Sequence, residues 1–217
     1  MFAVLFEVQP KKSEWDRYLE LAARLRPKLE AIPGFLENDR YASERTEGRV
    51  LSLSLWESEK ALIRWRVHAE HHGVQEQGRF EVFADYHLRI GEVVVDNAGA
   101  DREQTRFDAT EVGAAKAATI LEVDPGEEAR PTPPESPELV DAEWYRGLNT
   151  EDGHVLLASW RDDAAAQQWL SEQPPGSRGR RIRIIRDYGM HERREAPQYF
   201  PEVRGGPGGQ EPGGDLR

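Results

Sequence analysis

Hydrophobic and polar positions change period several times along the chain, and each change marks an element. Residues 2–8 form a short apolar run closed by Gln9-Pro10-Lys11-Lys12, which predicts a first strand. Trp15, Tyr18, Leu19, Ala22, Leu25 and Leu29 follow at helical spacing, with Ser13 as the expected N-cap and Ile32-Pro33-Gly34 as the stop. A second strand is expected over residues 35–42. Val50, Ser52 and Ser54 then alternate with Leu51, Leu53 and Leu55, predicting a third strand with one buried face. A helix capped by Ser58 is expected to run at least to His72, and a last strand covers about residues 82–95. The order is β-α-β-β-α-β, a ferredoxin-like arrangement.

Much of this pattern occurs twice. Trp56 and Trp65 stand nine residues apart, as do Trp160 and Trp169, and each pair follows a glycine (Gly48, Gly153) and an apolar run. Asp85-Tyr86 and Asp187-Tyr188 come after them in the same order. A rare residue recurring in one local order implies a structural unit written twice. The expected division is a first unit over residues 1–98, a linker over 99–113, a second unit over 114–196 and a tail over 197–217. In the second unit, strands are expected over 114–123, 139–148, 154–160 and 181–191, with a helix over 162–171. Its proline-rich stretch, residues 124–139, excludes a helix like the first unit's long one. The Gly/Pro-rich tail has nothing with which to build a core and is expected to be disordered.

Composition narrows the function. A net charge of −11 argues against nucleic acid and anionic membrane surfaces as partners. The one basic cluster, residues 178–186, alternates Arg with Ile and reads as a strand with one wet face. Without cysteine there is no disulfide, thiolate nucleophile or sulfur-bound zinc. No apolar run approaches the ~18–20 residues of a membrane span, and the N-terminus lacks a signal peptide's basic start. A soluble, cytoplasmic protein is expected. Residues 205–214 are Gly-rich but lack the strand and Lys-Ser/Thr of a phosphate loop, and no nucleophile elbow occurs.

Gly34-Phe35-Leu36, the segment from Trp56 to Trp65, His71, Gln75, Gly78-Arg79 and Asp85-Tyr86 together resemble the antibiotic biosynthesis monooxygenase (ABM) domain. The resemblance spans about residues 1–95, and residues 114–195 resemble the same domain in degenerate form. It implies the dimeric α+β barrel fold, here closed within one chain as an internal pseudo-dimer; further pairing of whole chains, as a homo-oligomer, stays open. Family members include oxygenases that convert polycyclic phenols to quinones without metal or flavin, and enzymes that open haem. The implied ligand is a small hydrophobic or aromatic molecule held between sheet and helices. A non-catalytic ligand-binding or assembly module of the same fold is the alternative.

On a helical wheel of ~100° per residue, Ala61, Leu62, Ala69 and His72 lie within about 60° of Trp65, and His68 at the edge of that arc. His71 points roughly 120° away. Trp65, His68 and His72 are therefore the candidate catalytic group: an indole to stack on an aromatic ring, and an imidazole to take a phenolic proton. Tyr86, Arg79 and His71 are the candidate substrate-binding residues. His68 and His72 have metal-binding spacing, but no third ligand is placed by motif, so no metal site is expected. His87, His154 and His191 join no recognisable constellation. The resemblance also implies polar groups that are missing. Quinone-forming members carry an Asn one turn before the Trp, where Ala61 stands. Haem-opening members carry an Asn on the first strand and a His ten residues past the Trp, where Glu7 and Gln75 stand. No cofactor is expected; haem would need an axial ligand from His68, His71 or His72.

Overall fold

The structure, a computed structural model, describes residues 1–97, 103–123, 130–148, 153–174 and 177–197. Its first half contains β1 (Phe2–Pro10), α1 (Trp15–Glu30), β2 (Phe35–Ser43), β3 (Val50–Trp56), α2 (Glu59–Arg66), α3 (Ala69–Gln77) and β4 (Phe83–Asp96). The second contains β5 (Ala117–Val123), β6 (Leu139–Gly147), β7 (His154–Trp160), α4 (Asp163–Ser171) and β8 (Arg178–Gly189). Between β5 and β6 none of the described residues is helical, and the expected disordered tail lies outside them from residue 198 on. The eight strands close into one barrel in the order β1-β3-β2-β6-β7-β5-β8-β4. This is the expected α+β architecture, a ferredoxin-like dimeric barrel assembled within a single chain. Two seams join the halves: a long one, where His87–Asp96 runs antiparallel to Arg180–Gly189, and a short one, where Tyr41–Ser43 meets Tyr145–Gly147.

Local chemistry explains most elements. Tyr18, Leu21, Leu25 and Leu29 form the buried stripe of α1 at three- and four-residue spacing. Its first turn differs from expectation: Lys12–Glu14 is a 3-10 turn, and Ser13 caps nothing. Ser58 accepts a hydrogen bond from the Ala61 amide and Asp162 one from the Ala164 amide, so α2 and α4 begin on side-chain caps. Gly34 turns the chain into β2 at φ +87°, and a Cβ there would lie 2.8 Å from the Ala61 Cβ, so α2 packs against bare backbone.

Two faces of the sheet are buried, not one. Leu51, Leu53 and Leu55 point into the barrel with Ala3, Leu5, Ile120, Val155, Leu157, Ile182 and Ile184, while Ser52 and Ser54 lie beneath the helices. The arginine-rich β8 likewise has no fully wet face, since Arg180 and Arg181 are buried. The connecting segment is also tied down: the buried Glu92 carboxylate accepts from the Thr105 amide and hydroxyl and from the Arg106 amide.

Pairing register relates the two halves residue by residue. Phe2 faces Trp56 as Ala117 faces Trp160, and Leu5 faces Arg89 as Ile120 faces Arg180. Across the long seam, Arg89 faces Asp187 and Arg180 faces Asp96. Asp187 thus corresponds to Asp96, and the sequence match of Asp85-Tyr86 with Asp187-Tyr188 is not a structural one. Each end of the barrel carries a buried arginine beside a glutamate. Arg180 bonds Glu37, Glu122 and Asp96 through its three nitrogens. Arg89 bonds Glu7 and Ser159, and Tyr145 donates to the other Glu7 oxygen at 2.8 Å. Burial alone would raise the Glu7 pKa; Arg89, His87 and the Tyr145 hydroxyl outweigh it and hold the carboxyl below its usual range. Removing one partner of such a pair strands a buried charge. Arg89→Ala is expected to lower stability in urea unfolding by about 3–5 kcal/mol. Arg26→Ala, which breaks only a surface pair with Glu30, should cost at most about 1 kcal/mol.

Candidate functional site

Among the described residues, two cavities bear on function. The first, of about 320 Å³, lies at one mouth of the barrel and is walled mainly by charged groups, among them Glu7, Asp85, His87, Arg89, Glu143 and Asp187. His87 does join a constellation here: its Nε2 lies 2.6 Å from Asp187 and its Nδ1 3.7 Å from Glu7. Asp187 and Glu7 are about a hundred or more positions away from it or on another strand, so no local motif announces the group. The second cavity, of about 190 Å³, lies between the outer face of β1–β4 and the helices of the first half. Val4, Phe6, Leu21, Leu25, Leu62, Trp65, Val74, Phe83 and Ile90 give it an apolar wall, broken by a few polar groups. An apolar enclosure with sparse, placed polar groups is the usual form of a small-molecule site.

The polar groups come from the sheet, from all three helices and from the second half; α1 and α2 supply Arg26 and Arg66. From the sheet, Asn38 lines the cavity and donates to the Ser52 hydroxyl at 2.9 Å and the Leu53 carbonyl at 3.1 Å. Arg40 hydrogen-bonds the Tyr18 hydroxyl at the wall. From α3 come His71 and Gln75, and from β8 of the second half comes Tyr188.

The histidines are not where the helical wheel put them. The expected continuous helix breaks after Arg66: Val67 ends α2, His68 takes an extended conformation (φ −61°, ψ 126°), and α3 starts afresh at Ala69. Neither Pro nor Gly marks the break. The new helix has a new phase, which brings His71, Val74 and Gln75 inward and leaves His72 exposed and His68 half-buried at the joint. His71, expected to point away, stacks on Trp65 with ring centroids 4.1 Å apart and planes 12° from parallel. His68 lies 5.8 Å from the same indole in a tilted arrangement. Arg79 and Tyr86 come together, with the guanidinium donating to the phenol oxygen at 3.0 Å, but neither lines this cavity. Among the described residues no three acidic or histidine side chains converge as metal ligands.

One proton on His71 is fixed by its surroundings. Nδ1 sits 2.9 Å from the Trp65 carbonyl oxygen, which can only accept, so Nδ1 carries the hydrogen and Nε2 the lone pair. The Gln75 amide nitrogen lies 3.4 Å from Nε2, and the Gln75 carbonyl oxygen is buried without a partner. Burial, aided by His68 and His72, pushes the His71 pKa down to about 4 although the Trp65 carbonyl favours the charged form. At neutral pH the cavity therefore holds an uncharged imidazole whose Nε2 lone pair faces the Gln75 amide.

The cavity measures about 190 Å³, close to the ~150 Å³ of an apolar cavity that takes benzene. The position read as the first-strand Asn does not reach it, since Glu7 faces the barrel interior and Val4 and Phe6 face the cavity. A carboxamide is present, but it comes from Asn38 on β2.

The family model described as antibiotic biosynthesis monooxygenase matches residues 1–77. A jasmonate monooxygenase ABM from Pyricularia oryzae (strain 70-15) is 40% identical over 217 residues, covering 93% of this chain and 99% of the relative. The chain belongs to the antibiotic biosynthesis monooxygenase family. The match to that fungal protein runs through both halves, whereas the Bacillus subtilis protein YqjZ, whose name assigns no activity, is 34% identical over 42% of this chain and 78% of its own. The crystal structure of an anthrone oxidase-like protein aligns over 91% of this chain and 96% of its own, with 13% identity and a TM-score of 0.37.

The buried imidazole gives a pH signature. His71 in the unfolded chain binds a proton near pH 6.5, which the folded protein refuses until about pH 4. Its contribution to stability is complete above pH 6.5 and shrinks as pH falls towards 4. His71→Leu should flatten this part of the profile in urea unfolding followed from pH 7.5 to 4. An unchanged slope would show that the imidazole is not held neutral.

Proposed function

We propose that this ABM protein is a monooxygenase acting on a small, largely apolar molecule bound between the sheet and α1–α3. The observation that carries this reading is the neutral His71, stacked on Trp65, in the wall of an apolar cavity. Trp65 offers the substrate an aromatic face. His71 Nε2 takes the proton of a hydroxyl or an acidic C–H, leaving an electron-rich anion for oxygen to oxidise. For a phenol the reaction closes without a cofactor: phenol and O2 give quinone and water, one oxygen atom entering the ring and the other leaving as water. A substrate lacking such an electron source draws two electrons from an external reductant.

The fungal relative's name makes jasmonate a substrate to test first, beside simple naphthols. Oxygen uptake and product mass are the readouts, with and without an added reductant. Turnover is expected to fall by about 10²–10⁴-fold in His71→Ala and to persist in His72→Ala, because His72 is exposed. Loss of turnover in His72→Ala with His71→Ala intact would return the base to the outer face of α3. Binding of these compounds without any oxygen uptake would favour the second reading, a ligand-binding module. Ala61 supports that alternative, since it leaves the position one turn before Trp65 apolar and buried.

A further inference from the structure

Among the described residues of the second half, one stands in the wall of the cavity: Tyr188. This side chain leaves β8 next to the long seam, opposite Leu88, and joins the hydrophobic cluster of the first half. It is 7% exposed and lines the cavity. A tyrosine in an otherwise apolar wall brings one hydroxyl that can donate to what the wall encloses. The ring is held from behind: the Arg193 guanidinium lies 5.4 Å from its centroid and is itself anchored on the Tyr86 hydroxyl at 2.6 Å. The Met190 amide, hydrogen-bonded to the Tyr86 carbonyl at 3.1 Å, fixes the backbone just beyond.

Burial pushes the Tyr188 pKa up to about 12, so the hydroxyl keeps its proton across the working range and can donate it. Two acceptors lie on α3, His71 Nε2 and the Gln75 carbonyl oxygen, the latter buried without a partner, while Arg26, Arg40 and Arg66 add donors on the first half's own elements. A ligand oxygen that carries a proton can give to one side and receive from the other.

Resting on the reading of this cavity as the ligand site, we propose that Tyr188 is a specificity-determining residue which donates a hydrogen bond to an oxygen of the bound molecule. The ligand class this selects is an apolar ring system bearing a hydroxyl or enol oxygen. The second half then completes the site of the first through a single phenol, and its retention follows from that contact as well as from barrel closure.

Tyr188→Phe removes only the hydroxyl and leaves the ring, its packing and the Arg193 contact in place. Two probes define the test: 2-naphthol and naphthalene, with dissociation constants measured by fluorescence on the full chain. The ratio of the two constants is expected to shift by about three- to tenfold against 2-naphthol in Tyr188→Phe, the size of one hydrogen bond. Naphthalene binding should stay as in the native protein. An unchanged ratio, with both probes still bound, would overturn the role of Tyr188 while leaving the cavity as the ligand site. Failure of the native protein to bind either probe would instead sink the cavity reading, and Tyr188's role with it.

Discussion

A barrel has no free edge, and closure of this one needs both halves of the chain. Neither β1–β4 nor β5–β8 can satisfy its outer strands alone: β4 finds its second partner in β8, and β2 in β6. The buried charges depend on that closure. Glu7 and Arg89 belong to the first half, but Tyr145 and Ser159, which complete their hydrogen bonds, come from the second. At the opposite end Arg180 reaches back to Glu37 and Asp96 in the same way. Separating the halves would leave charges in an apolar interior with part of their hydrogen bonding gone, a far greater cost than exposing two sheet edges.

The small-molecule cavity is a by-product of how the outer face is covered. In the first half, α1, α2 and α3 lie over the sheet, and the side chains beneath them are mixed: Val4, Phe6, Leu88 and Ile90 with Asn38, Ser52 and Ser54. Among the described residues the second half has α4 alone over the corresponding face, and Trp160 and Trp169 pack there 5.7 Å apart with Leu121, Leu156 and Leu170. The recurring tryptophans thus serve two ends. Trp169 fills a core, whereas Trp65 has a histidine stacked on its face and a cavity beside it.

Strand periods, the Ser58 cap, the Pro33-Gly34 stop and the recurring tryptophans were legible in the sequence, and they suffice for the barrel. The site was legible only in part. Trp65 was found because indole on an apolar stripe is conspicuous. His71 was misplaced because the break at Val67–His68 has no residue that forces it, and a wheel carried through a break changes phase. Ser52 was read as wet because a polar position on a strand looks the same whether water or a helix covers it. Tyr188 and the His87–Asp187 pair depend on a seam between strands about a hundred residues apart, which no local pattern encodes.

A homodimer must use every residue twice, so any substitution that improves one site is imposed on the other. In this single chain the two ends of the barrel differ. Asp96 pairs with Arg180, but Asp187, at the matching register position, pairs with His87, and the Arg89 Nε hydrogen is left unclaimed. A barrel closed within one chain leaves each half free of the other's constraints, so that one half can carry chemistry while its counterpart serves as scaffold.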